Sequence, residues 1–162
     1  KELLRRCWAS HDAYWFSAVA AEFGVEAANR LNRANVRNIG RTEMYRLMKA
    51  LAATSPRDIA GAMPLFEQGR RVYVPSSLME AEIANVAEDG YDVRINWCYV
   101  HENIVRAGIA DAYVCAVFDR LGGWHDAWGL PLAQELPVRR CALAAGEECR
   151  QRLAVRVEGV TG

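Results

Sequence analysis

The chain has 162 residues, 52% of them hydrophobic, which is the length of one domain and enough apolar material for a sizeable core. Its 20 basic and 20 acidic residues cancel, and no Lys/Arg block with interleaved aromatics occurs, so the electrostatic footprint of a nucleic-acid binder is missing. No apolar run approaches the ~20 residues needed to span a bilayer, and no signal-peptide core follows the basic start. A soluble, cytoplasmic protein is expected, with neither nucleic acid nor membrane as partner.

Residues 1 to about 23 have the periodicity of an amphipathic helix, with Leu4, Trp8, Trp15, Val19 and Phe23 on one stripe and Gly24 as its stop. A second helix is expected from Val25 to about Ala53. Its stripe reads Val25, Asn29, Asn32, Val36, Gly40, Glu43, Leu47 and Ala50, so amides and a carboxylate recur on an otherwise apolar face. Thr54-Ser55-Pro56 ends it, and Ser55 is placed to cap a short helix from Pro56 through Phe66. Gly69 and Pro75 punctuate the next stretch, in which Val72-Tyr73-Val74 is too short to assign.

From about Ala81 the period changes from 3.6 to 2. Asp89-Gly90 reads as a hairpin turn, and the strand after it alternates Val93, Ile95, Trp97 and Tyr99 with Arg94, Asn96 and Cys98. Helix is expected again over about His101 to Leu121, broken near Gly108, with Val114, Val117, Phe118 and Leu121 inward and Gly122-Gly123 as its end. Trp124-His125-Asp126-Ala127-Trp128 then reads as an aromatic loop or short helical turn before the connector between Pro131 and Pro137. A second hairpin closes the chain, with arms Val138 to Leu143 and Cys149 to Val157 and Cys141 opposite Cys149. The expected fold is α+β over 1-162 as one domain: a helical part, 1-66, packed on a small antiparallel sheet within a hairpin-helix-hairpin part, 81-162.

Two clusters carry candidate chemistry. On the first helix, His11 and Asp12 fall inside the apolar stripe between Trp8 and Trp15, where unpaired charge is costly. They are expected to face inward and find partners among Asn29, Asn32 and Glu43. A His, Asp and Glu from two helices can form an acid/base pair, hold a divalent metal such as zinc or iron, or simply order two helices as a buried network. In this reading His11, Asp12 and Glu43 are catalytic, while Trp8, Trp15, Asn29 and Asn32 bind substrate. In the second cluster, Cys98 and His101 lie three apart with Cys115 following, a set able to activate a thiolate or bind a soft metal, or to pack as small hydrophobes. The five cysteines are an odd number without any CxxC, which favours thiols over a disulfide framework.

The segments Cys98, Cys115 and Cys141-Ala-Leu-Ala-Ala-Gly146-Glu-Glu-Cys149 resemble the C-terminal half of the 4-vinyl reductase type of small-molecule-binding domain. Trp8-Ala-Ser-His11-Asp12-Ala-Tyr-Trp15-Phe16, with Asn29 and Gly40-Arg41-Thr42-Glu43 downstream, resembles the L-2-amino-thiazoline-4-carboxylic acid hydrolase-like family. The resemblance implies an α+β fold, a ligand site between helices and sheet, a homodimer, and cysteines acting as metal ligands. It also implies a hydrolase or hydro-lyase that adds water to a small sulfur- or nitrogen-containing metabolite. The alternative is a non-catalytic ligand- or metal-binding sensor domain of the 4-vinyl reductase type.

Overall fold

The computed structural model describes residues 2–156. Among them are five α-helices and one three-stranded antiparallel sheet, an α+β arrangement. Helices α1 (Glu2–Phe23), α2 (Val25–Ala50) and α3 (Ile59–Tyr73) come first, followed by strands β1 (Met79–Ala87) and β2 (Gly90–Cys98). Helices α4 (Tyr99–Arg106) and α5 (Val117–Trp128) and strand β3 (Cys149–Ala154) complete the chain.

Gly24 separates α1 from α2 as the residue pattern predicts, with φ of 85° that few other residues adopt. The third helix lies further along than expected. Its cap is Asp58, whose side chain accepts the Gly61 N–H at 2.7 Å, not Ser55, and it runs on through Gly69 to absorb Val72 and Tyr73. Gly69 lies inside this helix, where Met44 and Trp124 come within 3.0 Å of where a Cβ would stand and leave no room for a side chain.

The hairpin at Asp89-Gly90 is present, joining β1 to β2, and β2 is the central strand with β3 on its other side. Tyr91, Val93 and Ile95 are buried while Arg94 and Asn96 are exposed, the alternation read from the sequence as far as Asn96; Trp97, expected inward, is only half-buried with its Nε1 donating to Glu102, and Tyr99 belongs to α4. Cys98 departs from that alternation and is buried, because the strand ends there and the chain turns directly into α4.

The region after β2 holds two corrections. The predicted single helix with one break is instead α4 and α5, separated by the loop 107–116. Gly122-Gly123 does not terminate α5; it lies inside it, and Trp124, His125 and Trp128 are buried helical residues, not a loop. The two glycines sit where α5 crosses α2. A Cβ at Gly123 would stand 2.1 Å from the Arg37 carbonyl oxygen, and one at Gly40 would stand 2.2 Å from that of Arg120. Lack of side chains at both positions lets the helix backbones touch. The contact is flanked by Arg33 to Asp119 at 2.8 Å and Arg37 to Asp126 at 2.7 Å, each a two-pronged guanidinium–carboxylate pair.

The closing hairpin is likewise corrected. Only its second arm is a strand, and that strand pairs with β2, placing Cys149 opposite Ile95. The first arm contributes a single bridge, Arg140 to Val114, and Leu143–Ala145 is a 3-10 turn, so Cys141 and Cys149 are not a cross-strand pair. Val157, the expected end of that arm, lies outside the described residues.

One hydrophobic core joins the helices to the sheet, built from Met44, Leu47, Phe66, Tyr91, Val93, Leu121, Trp124, Trp128 and Leu153 among others. A smaller cluster of Phe16, Ala28, Ile104, Tyr113 and Cys141 pins α1 to the rest. His125 sits fully buried in the main core, with Nδ1 donating to the Leu130 carbonyl at 2.9 Å and Nε2 accepting from the Tyr91 hydroxyl at 2.9 Å. Burial, outweighing the bond to Leu130, pushes its pKa down to about 4.

A pH dependence follows. Between about pH 6.5 and 4 the unfolded chain binds a proton at this residue that the folded one refuses, so stability is full above that window and falls as pH drops through it. The expected loss is ~3 kcal/mol. Unfolding free energies measured at neutral pH and at about pH 4.5 should differ by roughly this amount, and the difference should shrink in His125→Gln. The Asp92 carboxyl is held below the usual carboxylate range by the Asn85 amide and the Arg150 guanidinium, and so titrates in a lower window. A His125 ring that NMR finds protonated in the folded protein at about pH 5 would contradict the assignment.

Candidate functional site

The structure separates the residues that the sequence groups together. His11 and Asp12 do not face the interior. Their side chains are 67% and 57% exposed, 3.6 Å apart through Nδ1 and Oδ1, because the side of α1 that packs is the one carrying Phe16, Val19 and Ala20. The stripe read from Trp8 and Trp15 lies beside that packing face, and Trp8 is 67% exposed with its ring edge-on to His11 at 5.8 Å.

Glu43 is buried as expected, but its partners come from α5. Arg120 donates to it through Nε at 2.9 Å and through Nη2, and Trp124 Nε1 donates at 3.2 Å. The Glu43 backbone carbonyl also accepts from the Tyr73 hydroxyl at 3.1 Å. With its carboxylate so engaged, Glu43 is a structural anion of the helix crossing and does not meet His11 or Asp12.

Asn29 and Asn32 are also committed elsewhere. Asn29 donates to Ala112 O at 2.8 Å and accepts from Val114 N at 2.9 Å, holding the loop between α4 and α5, while Asn32 donates to the Tyr113 hydroxyl at 3.3 Å. These two amides serve that loop. Asn29 additionally borders a second cavity of about 340 Å³ with Glu26, Arg30, Arg33, Val114 and Val138.

What remains of the predicted helical site is a groove of about 400 Å³ between α1 and α2. His11, Asp12 and Trp15 line it from α1. Leu31, Ala34, Asn35 and Asn38 line it from α2. The amides of Asn35 and Asn38 therefore take the place expected for Asn29 and Asn32. Sequence reasoning missed them, although 31, 34, 35 and 38 form a one-face helical set adjoining the polar stripe it singled out.

The second predicted cluster is a neighbourhood of largely buried thiols with one imidazole beside it. All five cysteines are free thiols, and Cys98, Cys141 and Cys149 are buried. The imidazole of His101 approaches Cys141, with Nδ1 3.8 Å from Sγ, instead of Cys98 or Cys115. Burial, with smaller contributions from the neighbouring thiols, raises the pKa of Cys98, that of Cys115 to about 12 and that of Cys149 to about 11. Protonated thiols are poor nucleophiles at neutral pH, so neither Cys98 nor Cys115 has the character of an activated thiolate. Among the described residues no three His, Cys, Asp or Glu side chains are grouped so as to hold a metal ion. These donor sets therefore fit neither the zinc or iron considered for His11, Asp12 and Glu43 nor the cysteine-bound metal that the resemblance implies.

No protein-family model, curated protein or solved structure matches the chain. Among the described residues, no helix is long and apolar enough to cross a membrane.

Proposed function

We propose that the chain is a small-molecule-binding domain whose ligand lies in the groove between α1 and α2. The observation that carries this reading is the lining itself: one indole, two amides, an imidazole and a carboxylate converge on about 400 Å³ from two helices. That volume lies within the range of small-molecule sites, and a few convergent polar groups beside an aromatic wall are what fix a ligand's orientation. Trp15 offers a face to a planar ring, Asp12 attracts an amine or ring N–H, and Asn35 and Asn38 offer both donors and acceptors. A nitrogen-containing heterocycle of metabolite size fits this chemistry. The resemblance to the 4-vinyl reductase type of domain supports the same reading, and five free thiols support a reducing compartment such as the cytoplasm.

A second reading, hydrolysis or hydration, is favoured by the His11–Asp12 contact of 3.6 Å. With Nδ1 turned to the carboxylate, Nε2 is the atom left to face water in the groove. Glu43, Cys98, His101 and Cys115 take no part.

A screen of small nitrogen heterocycles by ligand-observed NMR, followed by titration of tryptophan fluorescence, tests the binding. Trp15→Ala and Asp12→Asn should each weaken the best binder by about tenfold or more; Asp12→Asn should do so with little change in melting temperature because its side chain is exposed, while Trp15→Ala, which removes a largely covered indole, should be measured where the variant is folded. Undiminished affinity in both variants would remove the groove from consideration. If the protein is an enzyme, His11→Ala should abolish turnover of that compound while leaving its affinity within a fewfold range.

A further inference from the structure

The second cavity, of about 340 Å³, lies on a different face of α2 from the groove. Glu26, Asn29, Arg30 and Arg33 line it at offsets of three, four and seven residues, so all four share one side of the helix, about 140° round from the residues that line the groove. Val114 and Val138 close it from outside α2. Asn29 accepts from the Val114 N–H and donates to the Ala112 carbonyl, a bridge ties Val114 to Arg140, and Arg33 Nη2 donates to the Leu136 carbonyl at 3.1 Å. The walls are therefore fixed before any ligand arrives.

The charges around this cavity are balanced and open. Arg33 is neutralised by Asp119, which accepts from its Nε and Nη2 and leaves Nη1 as a spare donor. Glu26 and Arg30 are exposed, and among the described residues neither side chain has an ion-pair or hydrogen-bond partner. A glutamate and an arginine four residues apart on a helix ordinarily attract each other across one turn, yet these two stand apart on the rim of one cavity. We propose that this cavity binds a free α-amino acid with an aliphatic side chain. Its carboxylate meets the Arg30 guanidinium and Arg33 Nη1, its ammonium meets Glu26, and its side chain lies against Val114 and Val138. A ligand with a single charge leaves the opposite rim charge unanswered, and one without an apolar body leaves Val138, 70% exposed, in water. This site is independent of the groove between α1 and α2 and of the ligand proposed there.

Isothermal titration calorimetry at low ionic strength tests the site with L-leucine, with 4-methylpentanoate, which lacks the ammonium, and with 3-methylbutylamine, which lacks the carboxylate. Leucine should bind at least about tenfold more tightly than either. Affinity should rise about fourfold per buried methylene from alanine through 2-aminobutyrate to norvaline. Arg30→Ala should weaken leucine about tenfold, and Glu26→Gln should do the same while leaving 4-methylpentanoate unchanged. Neither side chain makes a bond that holds the fold, so both variants should melt as the parent does. Asp12→Asn, which alters the groove, should bind leucine as the parent does; a loss there would put leucine in the groove and overturn the proposal. Equal affinity for leucine and 4-methylpentanoate, or leucine binding that survives both Glu26→Gln and Arg30→Ala, would also overturn it. So would the absence of any heat of binding up to about 10 mM leucine.

Discussion

Replacing Gly123 by alanine should destabilise the protein by roughly 3 kcal/mol or more, while the same change at Gly122, one residue away, should be near neutral. The new Cβ at Gly123 would stand 2.1 Å from Arg37 O and 2.7 Å from Arg41 N, both backbone atoms of α2 that no rotamer change can move. Relief requires α5 to withdraw from α2, which strains the Arg33–Asp119 and Arg37–Asp126 pairs on either side. At Gly122 the nearest atom is Leu136 Cδ1, at 3.3 Å, the tip of a side chain that can shift by a few tenths of an ångström. Alanine there also gains up to ~1 kcal/mol of helix propensity. Gly40→Ala should match Gly123→Ala, and the two together should cost less than their sum, because one separation of the helices accommodates both. Urea unfolding of the four variants checks this; a Gly123→Ala loss below about 1 kcal/mol would mean that the helices do not cross this closely.

Glu43→Ala should cost about 3–5 kcal/mol, since it leaves the Arg120 guanidinium without its carboxylate and the Trp124 indole N–H without its acceptor. Glu43→Gln should also destabilise, by about 2 kcal/mol, because its amide turns an N–H toward the arginine donors. Neither should weaken ligand binding in the groove at a temperature where the variant is folded, because Glu43 does not line it. Replacing both charges at once, as Glu43→Met with Arg120→Met, should recover most of the loss if the pair is structural. A variant that keeps full stability but loses ligand affinity or turnover would return Glu43 to the functional role suggested by its place in the polar stripe.

Part of the candidate site was legible and part was not, for one reason. Periodicity identifies which residues share a helix face, but not which of two neighbouring faces is covered. His11, Asp12 and Trp15 were recognised as a group, and they do line one groove. Their exposure was not, because α1 has apolar residues on more than one side and its packing face is chosen by Phe16, Val19 and Ala20 meeting Ala28 and Tyr113. Asn29, Asn32 and Glu43 were correctly seen as polar groups on an inward stripe, yet their partners arrive from residues 70 to 90 positions away or thereabouts, at Ala112, Tyr113, Arg120 and Trp124. No local signal encodes such pairings.

The sequence by itself determined the α+β class, the α1–α2 break at Gly24, the hairpin at Asp89-Gly90 and the inward alternation of β2, all of which depend on interactions within a few residues. Tertiary structure decided what the glycines after Leu121 do. A glycine pair ends a helix when nothing favours its continuation. Here the close approach of α2, bracketed by two arginine–carboxylate pairs, stabilises the helical path through Gly122 and Gly123 and carries Trp124, His125 and Trp128 into the core. The same contact draws Glu43 to Arg120 and away from His11, so the packing of α5 on α2, more than any motif, separates the structural charges of this protein from those left free to meet a ligand.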